Sequence, residues 1–197
     1  MRFWMLLVGA AASLLLAGPV SVSPALADDV NTCFKASGDE AIAACTRVIQ
    51  DRGKSAKSHE DAYVNRGVEY DNKGDYDRAI ADYNAAIPLD PKDPHARNDR
   101  GESYRHKGDY DRAIADYTAA IGLDPKYVHA YSNRGLAYHA KGDNDRAIAD
   151  YTAAIRFDPK YAPAYYNRGL AKRAKGDTAG GDADVAAAKQ LNPKVGN

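Results

Sequence analysis

The sequence has 197 residues, which is enough for one domain. Its 27 Lys and Arg residues are balanced by 27 Asp and Glu residues. This balance gives no electrostatic reason to expect binding to nucleic acid or to an anionic membrane.

The first 27 residues have the pattern of a secretory signal peptide. Arg2 supplies the positive start, Phe3 to Ala17 is an apolar run, and Ala25-Leu26-Ala27 fits a cleavage site of small residues. The alternative is an uncleaved membrane anchor, but the apolar run is short for a span of about 20 residues. We therefore expect a mature chain that begins near Asp28, is periplasmic or secreted, and has no stable membrane insertion.

Residues 28–60 form the next segment, which we predict to be a helical pair. It contains both cysteines, Cys33 and Cys45. An exported chain with two cysteines suggests one disulfide. A metal or redox role would need a C-x-x-C spacing or further ligands, so the predicted disulfide is structural. The charged stretch from Gln50 to Glu60 is predicted to be an irregular connector.

From residue 61 onwards, landmarks recur every 34 residues. The phrase DRAIADY begins at Asp77, Asp111 and Asp145. The other landmarks are Gly67, Gly101, Gly135 and Gly169, and then Pro91, Pro125, Pro159 and Pro193. This period indicates one structural unit copied in series. The copies span 61–94, 95–128, 129–162 and 163–197, the last with a C-terminal cap.

Each copy predicts two helices, which we call helix A and helix B, joined by a Lys-Gly-Asp turn such as Lys141-Gly142-Asp143. Gly adopts the left-handed conformation that ends helices, and the following Asp can cap helix B. An Asp-Pro or Asn-Pro pair then ends helix B, because the residue before Pro is disfavoured in helical conformation.

The third copy carries a known pattern. Its landmarks, in order, are Tyr131, Gly135, Tyr138, Ala147, Tyr151 and Pro159. With Tyr at the Trp and Phe positions, this unit resembles the tetratricopeptide repeat (TPR). The resemblance implies an all-α, right-handed superhelical solenoid of helix–turn–helix repeats and a binding scaffold. Arg134 departs from the pattern, which has Leu there.

This Arg recurs in every copy, with an Asp 16 residues later. The pairs are Arg66 and Asp82, Arg100 and Asp116, Arg134 and Asp150, and Arg168 and Asp184. We predict an ion pair within each repeat. We also predict that most of the 14 tyrosines are core residues rather than a binding surface.

The fourth copy departs from the others in helix B, where Gly181 replaces Ala and Val185 replaces Tyr. Glycine in a helix costs roughly 1 kcal/mol relative to Ala. We therefore expect a weakened helix that acts as an end cap with a wetter outer face.

In the resembling family, helix A lines the concave inner surface, which implies a peptide-binding groove. The candidate groove residues are Asn65, Asn98, Asp99, Glu102, Arg105, Ser132, Asn133, Leu136, His139, Tyr166, Asn167 and Arg173. An asparagine amide both donates and accepts, so it can pair with an extended peptide backbone; the alternative is that the asparagines are merely solvated. The basic cluster that would hold a C-terminal carboxylate is absent from these positions.

The sequence predicts a non-enzymatic scaffold or adaptor that binds a peptide or protein segment in the cell envelope. No nucleophile elbow, zinc-protease motif or phosphate loop is present, and we expect no cofactor and no metal site. An alternative is a self-assembling oligomer that stacks its repeats end to end. A third possibility is an exported hydrolase or lectin with an unfamiliar site.

Overall fold

The structure is a computed structural model that describes residues 24–196. The predicted signal peptide lies outside the described residues except for its last four, which begin the first helix. The described helices are α1 (Pro24–Lys35), α2 (Gly38–Gln50), α3 (Ala56–Asn72), α4 (Tyr76–Ala86), α5 (Pro94–His106), α6 (Tyr110–Leu123), α7 (Val128–Ala140), α8 (Asn144–Phe157), α9 (Ala162–Ala174) and α10 (Thr178–Leu191).

The helices pack as consecutive antiparallel pairs, and each pair also contacts the next pair along the chain. The odd-numbered helices α3, α5, α7 and α9 touch one another in series and line one side of the stack. Residues 24–196 contain helices and turns but no strand. The protein is therefore an all-α, right-handed superhelical solenoid, as the sequence predicted. In this part of the chain no helix has both the length and the apolar character that a membrane span requires.

The turns between paired helices have the predicted chemistry. Gly142 adopts a φ of 80°, in the left-handed region that glycine tolerates best. The Asp143 carboxylate then accepts a hydrogen bond from the backbone N–H of Arg146 at 3.0 Å, which caps α8. Glycine and aspartate at this spacing thus fix the reversal of the chain at each turn.

Two helix boundaries differ from the sequence prediction. Helix α3 begins at Ala56, inside the predicted connector, because the Ser55 hydroxyl caps it by accepting from the backbone N–H of Ser58 at 3.1 Å. Helix α4 ends at Ala86, well before Pro91. Pro88 ends it early, since proline has no N–H for the helical hydrogen-bond ladder.

The recurring glycines allow the paired helices to pack closely. A Cβ added to Gly135 would lie 2.7 Å from the Tyr151 ring, and the same contact would be 2.8 Å for Gly67 and Tyr83. Tyr83 and Tyr151 are fully buried. These tyrosines are core residues, as predicted, and their rings fill the space that the missing glycine side chains leave.

The last helical pair packs through its glycines. Helix α10 is continuous, and Gly181 is buried within it. A Cβ on Gly181 would lie 2.7 Å from the Gly169 carbonyl oxygen, and a Cβ on Gly169 would lie 2.7 Å from the Gly181 carbonyl oxygen. The two glycines therefore bring the backbones of α9 and α10 together where other copies insert a tyrosine. The substitutions thus change the packing of the last pair, and the weakened end-cap helix stays a prediction.

The predicted ion pairs form in all four copies. Arg134 donates from Nε and Nη2 to the two carboxylate oxygens of Asp150, both at 2.8 Å, and this contact raises the pKa of the arginine. Its Nη1 reaches the Thr118 hydroxyl of the preceding copy at 3.0 Å. Each arginine therefore joins its own two helices and also the helix pair before it. The same forked geometry joins Arg66 to Asp82, Arg100 to Asp116, and Arg168 to Asp184.

The structure also contains the predicted Cys33–Cys45 disulfide. It joins α1 to α2, and both cysteines are buried. Arg66 donates to the Thr46 hydroxyl at 2.8 Å, which is the contact that later arginines make with the copy before them. The first helical pair is therefore stacked on the second in the same way as the later copies.

Candidate functional site

A cavity of about 300 Å³ opens on the inner surface where α3 and α5 meet. We call it the α3–α5 pocket. It is lined by Val68, Asp71, Asn72, Tyr76, Tyr83, Asp99, Glu102 and His106. Two of these residues, Asp99 and Glu102, are among the groove residues predicted from the sequence. Carboxylates from both helices therefore face one small space.

Asp71 is held in the pocket by neutral donors. The Tyr83 hydroxyl donates to one of its carboxylate oxygens at 2.9 Å, and the Ser103 hydroxyl donates to the other at 2.7 Å. Burial raises the pKa of Asp71 despite these hydrogen bonds. The carboxylate is thus fixed in position, but no cationic side chain neutralises it among the residues of the pocket.

Asp99 is the second partly buried carboxylate of the pocket. Its one side-chain donor is the amide of the neighbouring Asn98, at 3.1 Å. Burial is the main cause that raises the pKa of Asp99 to about 6; the negative charges of Glu102 and Asp71 act in the same direction, and the Asn98 hydrogen bond and His95 oppose it. The pocket thus holds a carboxylate whose negative charge is poorly compensated by its surroundings.

Glu102 lies at the edge of the pocket, nearer to cations. Its carboxylate is 3.5 Å from Arg105 and 3.7 Å from the imidazole of His106. The His106 ring stacks on Tyr76, with centroids 5.1 Å apart and planes inclined by 6°. This stacked pair forms a flat aromatic wall beside the carboxylates.

The floor of the groove continues from the α3–α5 pocket towards α7. There the Tyr117 hydroxyl, the Tyr151 hydroxyl and Nε of Arg105 are buried without a hydrogen-bond partner among the described residues. Burial raises the pKa of Tyr117, Arg105 lowers it and Glu102 raises it, so the hydroxyl lies close to both groove residues. Tyr83, in the same place one copy earlier, does have a partner in Asp71.

The structure places the predicted groove residues of the second and third copies at different depths. Ser132 and Asn98 are only 2% and 5% exposed, so they lie beneath the surface of the groove. The Asn133 amide donates to the Asn98 side-chain oxygen at 3.1 Å and links two copies. His139 contacts the Asn144 side chain at 2.6 Å, and Leu136 packs against the core around Tyr151.

The remaining predicted residues lie in the first and fourth copies. Asn65, Tyr166 and Asn167 are partly exposed on α3 and α9. Arg173 donates to Asp182 of α10 at 2.8 Å, and so contacts the neighbouring helix rather than a groove residue. Of the predicted groove residues, the structure brings Asp99, Glu102 and Arg105 together at the pocket, and hydrogen bonds join Asn98 to Asp99 and Asn133 to Asn98.

An aromatic row crosses the same surface near the starts of the odd-numbered helices. Tyr127 lies 5.1 Å from His95 and 6.2 Å from His129, measured between ring centroids. Tyr161 lies 5.2 Å from His129. Tyr127 therefore separates His95 from His129. Across residues 24–196 no group of three or more His, Cys, Asp and Glu side chains is arranged to hold a metal ion.

Sequence reasoning missed Asp71, Tyr76 and the groove-facing hydroxyl of Tyr83. The 34-residue period could have identified Asp71, since it occupies in the first copy the place of Arg105 and His139. Tyr83 was assigned to the core, and it is fully buried, but its hydroxyl also lines the α3–α5 pocket. A single side chain can serve both purposes because its apolar ring and polar end are different surfaces.

The stacked helical pairs and the continuous inner surface define a helical-repeat protein. Tetratricopeptide repeat family profiles match residues 60–93 and 82–115, and a profile described as TPR repeat matches residues 101–142 and 135–176. Together these matches cover more than half of the chain without a gap. The chain belongs to the tetratricopeptide repeat family.

Solved structures of other proteins share this architecture. A crystal structure of MamA is 26% identical, with a TM-score of 0.69, and the match covers 79% of this chain and 89% of that one. The first TPR of Spaghetti (RPAP3), bound to the HSP90 peptide SRMEEVD, is 26% identical with a TM-score of 0.58 over 59% and 93% of the two chains. The second TPR domain of human RPAP3, in complex with the HSP70 peptide SGPTIEEVD, is also 26% identical, with a TM-score of 0.58 over 60% and 98%. No curated protein sequence matches significantly.

Proposed function

We propose that this protein is a non-enzymatic adaptor that binds a peptide or protein segment on the inner surface formed by α3, α5, α7 and α9. The observation that carries the proposal is the α3–α5 pocket, where polar groups from two neighbouring copies converge on the inner surface. The buried hydroxyls and Arg105 Nε nearby have no partner among the described residues, and a bound chain could supply acceptors for them.

The comparisons support the class of ligand. Two similar TPR domains have a peptide bound. Those peptides end in the acidic sequence EEVD, whereas the pocket of this protein is itself acidic at Asp71, Asp99 and Glu102. We therefore expect the ligand to be a peptide segment but not an acidic C-terminus.

We place the adaptor in the cell envelope, in the periplasm or outside the cell. The signal-peptide pattern of residues 1–27 supports export. The Cys33–Cys45 disulfide supports an oxidising compartment, since such bonds persist there and are rare in the cytosol.

Photo-crosslinking in the cell of origin tests this function. A crosslinking residue replaces Val68, which lines the pocket and is 36% exposed. The control carries it at Ala115, which is exposed on α6. A second protein attached from Val68 and not from Ala115 is the expected result. Attachment of no protein at Val68 in a folded, exported variant would contradict the groove as the working surface.

A second candidate function is self-assembly, and exposed apolar residues on the end helices favour it. Phe34 on α1 is 49% exposed and Leu191 on α10 is 43% exposed. If the ends stack on each other, the sedimentation coefficient rises with concentration and Phe34→Ser abolishes the rise. A sedimentation coefficient that matches a monomer at every concentration would rule out self-assembly and leave the adaptor function.

A further inference from the structure

We propose that the α3–α5 pocket binds a lysine or arginine side chain of the captured segment. This inference rests on the proposed function, because it specifies what the segment presents to the groove. It is based on a difference among the carboxylates of the described solenoid: most of them contact a cation of the same chain, whereas Asp71 and Asp99 in the pocket accept hydrogen bonds from neutral donors.

Most repeated carboxylates in residues 24–196 contact a cation of the same chain. The helix-B aspartates such as Asp150 take the forked contact from an arginine. Aspartates at the start of helix B, such as Asp111, contact the lysine of the next turn, here Lys141. The capping aspartates such as Asp143 contact the arginine three residues later. The repeats therefore supply cationic partners for most of their own carboxylates.

The α3–α5 pocket departs from this rule. Asp71 is bonded to two hydroxyls and Asp99 to an amide, and all these donors are neutral. Glu102 is 3.5 Å from Arg105 and 3.7 Å from the His106 imidazole. Three carboxylates thus face one cavity, and the one nearby arginine is shared with His106 at 2.9 Å. A cation entering the cavity would meet an attractive field from two helices.

A second observation concerns the part of the groove next to the pocket. Tyr117 is fully buried, and its hydroxyl lies against Arg105, which lowers its pKa, without forming a hydrogen bond of good geometry to any described residue. A buried hydroxyl without a partner is costly, and such groups in native proteins usually meet a ligand or water.

The walls and size of the pocket suit a basic side chain. Val68 supplies an apolar contact for a methylene stem, and the stacked Tyr76 and His106 rings supply an aromatic face for an ammonium or guanidinium group. A volume of about 300 Å³ is at the lower limit for small-molecule pockets. One long side chain therefore fits it better than a cofactor or a folded domain.

The test begins with a phage-displayed library of random dodecapeptides selected on the purified mature protein. The test variant combines Asp99→Asn with Glu102→Gln. The control combines Asp111→Asn with Asp145→Asn, which removes the same formal charge from exposed positions paired with Lys141 and Lys175. We expect Lys and Arg to be enriched at one position of peptides selected on the wild type and on the control, and not on the test variant.

Each outcome bears on a different proposal. Selected peptides without a fixed basic position, or with the same basic position on the test variant, would overturn the lysine and arginine pocket and leave the peptide-binding function standing. Recovery of no peptide on a folded protein would overturn both. Thermal unfolding followed by circular dichroism verifies that both double variants are folded.

A double-mutant cycle on one selected peptide measures the coupling between its basic residue and the carboxylates of the pocket. Replacing its basic residue by norleucine should weaken binding to the wild type by about 10-fold, the effect expected of a desolvated charge pair. On the test variant the same replacement should change Kd less than about twofold. An equal loss on both proteins would show that the basic residue binds elsewhere, and the pocket assignment would be wrong.

Discussion

Asp99 shows at the scale of one residue how a binding surface can oppose stability. Its carboxylate is partly buried and faces Glu102, Asp71 and His95. Because burial raises its pKa from 3.8 to about 6, the folded state binds a proton more tightly than the unfolded state. The free energy of unfolding therefore falls as pH rises from about 4 to about 6, and the cost persists above that range.

We therefore predict that Asp99→Asn stabilises the protein at neutral pH. The expected gain is about 1–2 kcal/mol at pH 7, after discounting the shift for partial exposure. At pH 4 the gain should nearly vanish, because Asp99 is then protonated in the folded state. Urea unfolding of both proteins at the two pH values measures this, and an equal effect at both would contradict the assignment.

The recurring arginine makes a second prediction at this scale. Arg134→Leu removes the forked partner of Asp150, whose side chain is 8% exposed, and leaves a buried charge without compensation. We expect a loss of about 2–4 kcal/mol in the free energy of unfolding.

The control combines Arg134→Leu with Asp150→Leu and should recover most of that loss, since a buried ion pair is often replaceable by apolar residues. Thermal or urea unfolding compares the three proteins. A single variant with an unchanged or raised melting temperature would show that the pair does not contribute to stability.

At the scale of the element, we predict that replacing glycine by alanine has opposite effects on stability at two positions. Gly135→Ala would put a Cβ 2.7 Å from the Tyr151 ring, so α7 and α8 would have to separate, at about 1–3 kcal/mol. Gly122→Ala in α6 meets nothing within 4 Å and should gain about 0.5–1 kcal/mol from helix propensity. Urea unfolding of both variants tests the contrast, and equal effects would refute close packing as the reason for Gly135.

The disulfide should stabilise the first helical pair, α1 and α2, rather than the whole stack of repeats. Cys33 and Cys45 are 12 residues apart, a loop whose closure contributes about 3 kcal/mol by the chain-entropy estimate. In a solenoid each unit depends mainly on its neighbours. We predict that reduction speeds amide hydrogen exchange in α1 and α2 and leaves α7 to α10 unchanged, as mass spectrometry would show. Uniformly faster exchange along the chain would instead indicate global coupling.

The whole molecule has a near-zero net charge but an uneven distribution of uncompensated charge. Lysines and aspartates at the turns pair between copies, as Lys73 does with Asp39 at 2.5 Å, so the exposed surface is locally neutral. The α3–α5 pocket is the exception on the inner surface. We therefore expect peptide binding there to weaken as salt screens the attraction, whereas the solenoid itself should tolerate salt.

At the same scale, the sequence determined the repeat, its helices and the contacts that recur in every copy. A 34-residue period predicts these features because each copy repeats the same local chemistry: Gly142 and Asp143 set the turn, and Arg134 finds Asp150 at a fixed offset of 16. The disulfide was also predictable, because Cys45 is the only other cysteine in the sequence.

The tertiary structure alone decided what the deviations from the period mean. Gly181 makes a close backbone contact with Gly169. The sequence could not show this, because it does not say which residue of the neighbouring helix faces Gly181. Likewise Ser132 and Asn98 are buried although their positions in helix A suggested a surface. Asp71, Asp99 and Glu102 line one pocket because the stacking of the repeats brings α3 beside α5. Helical periodicity relates residues within one helix and cannot predict this contact between two helices.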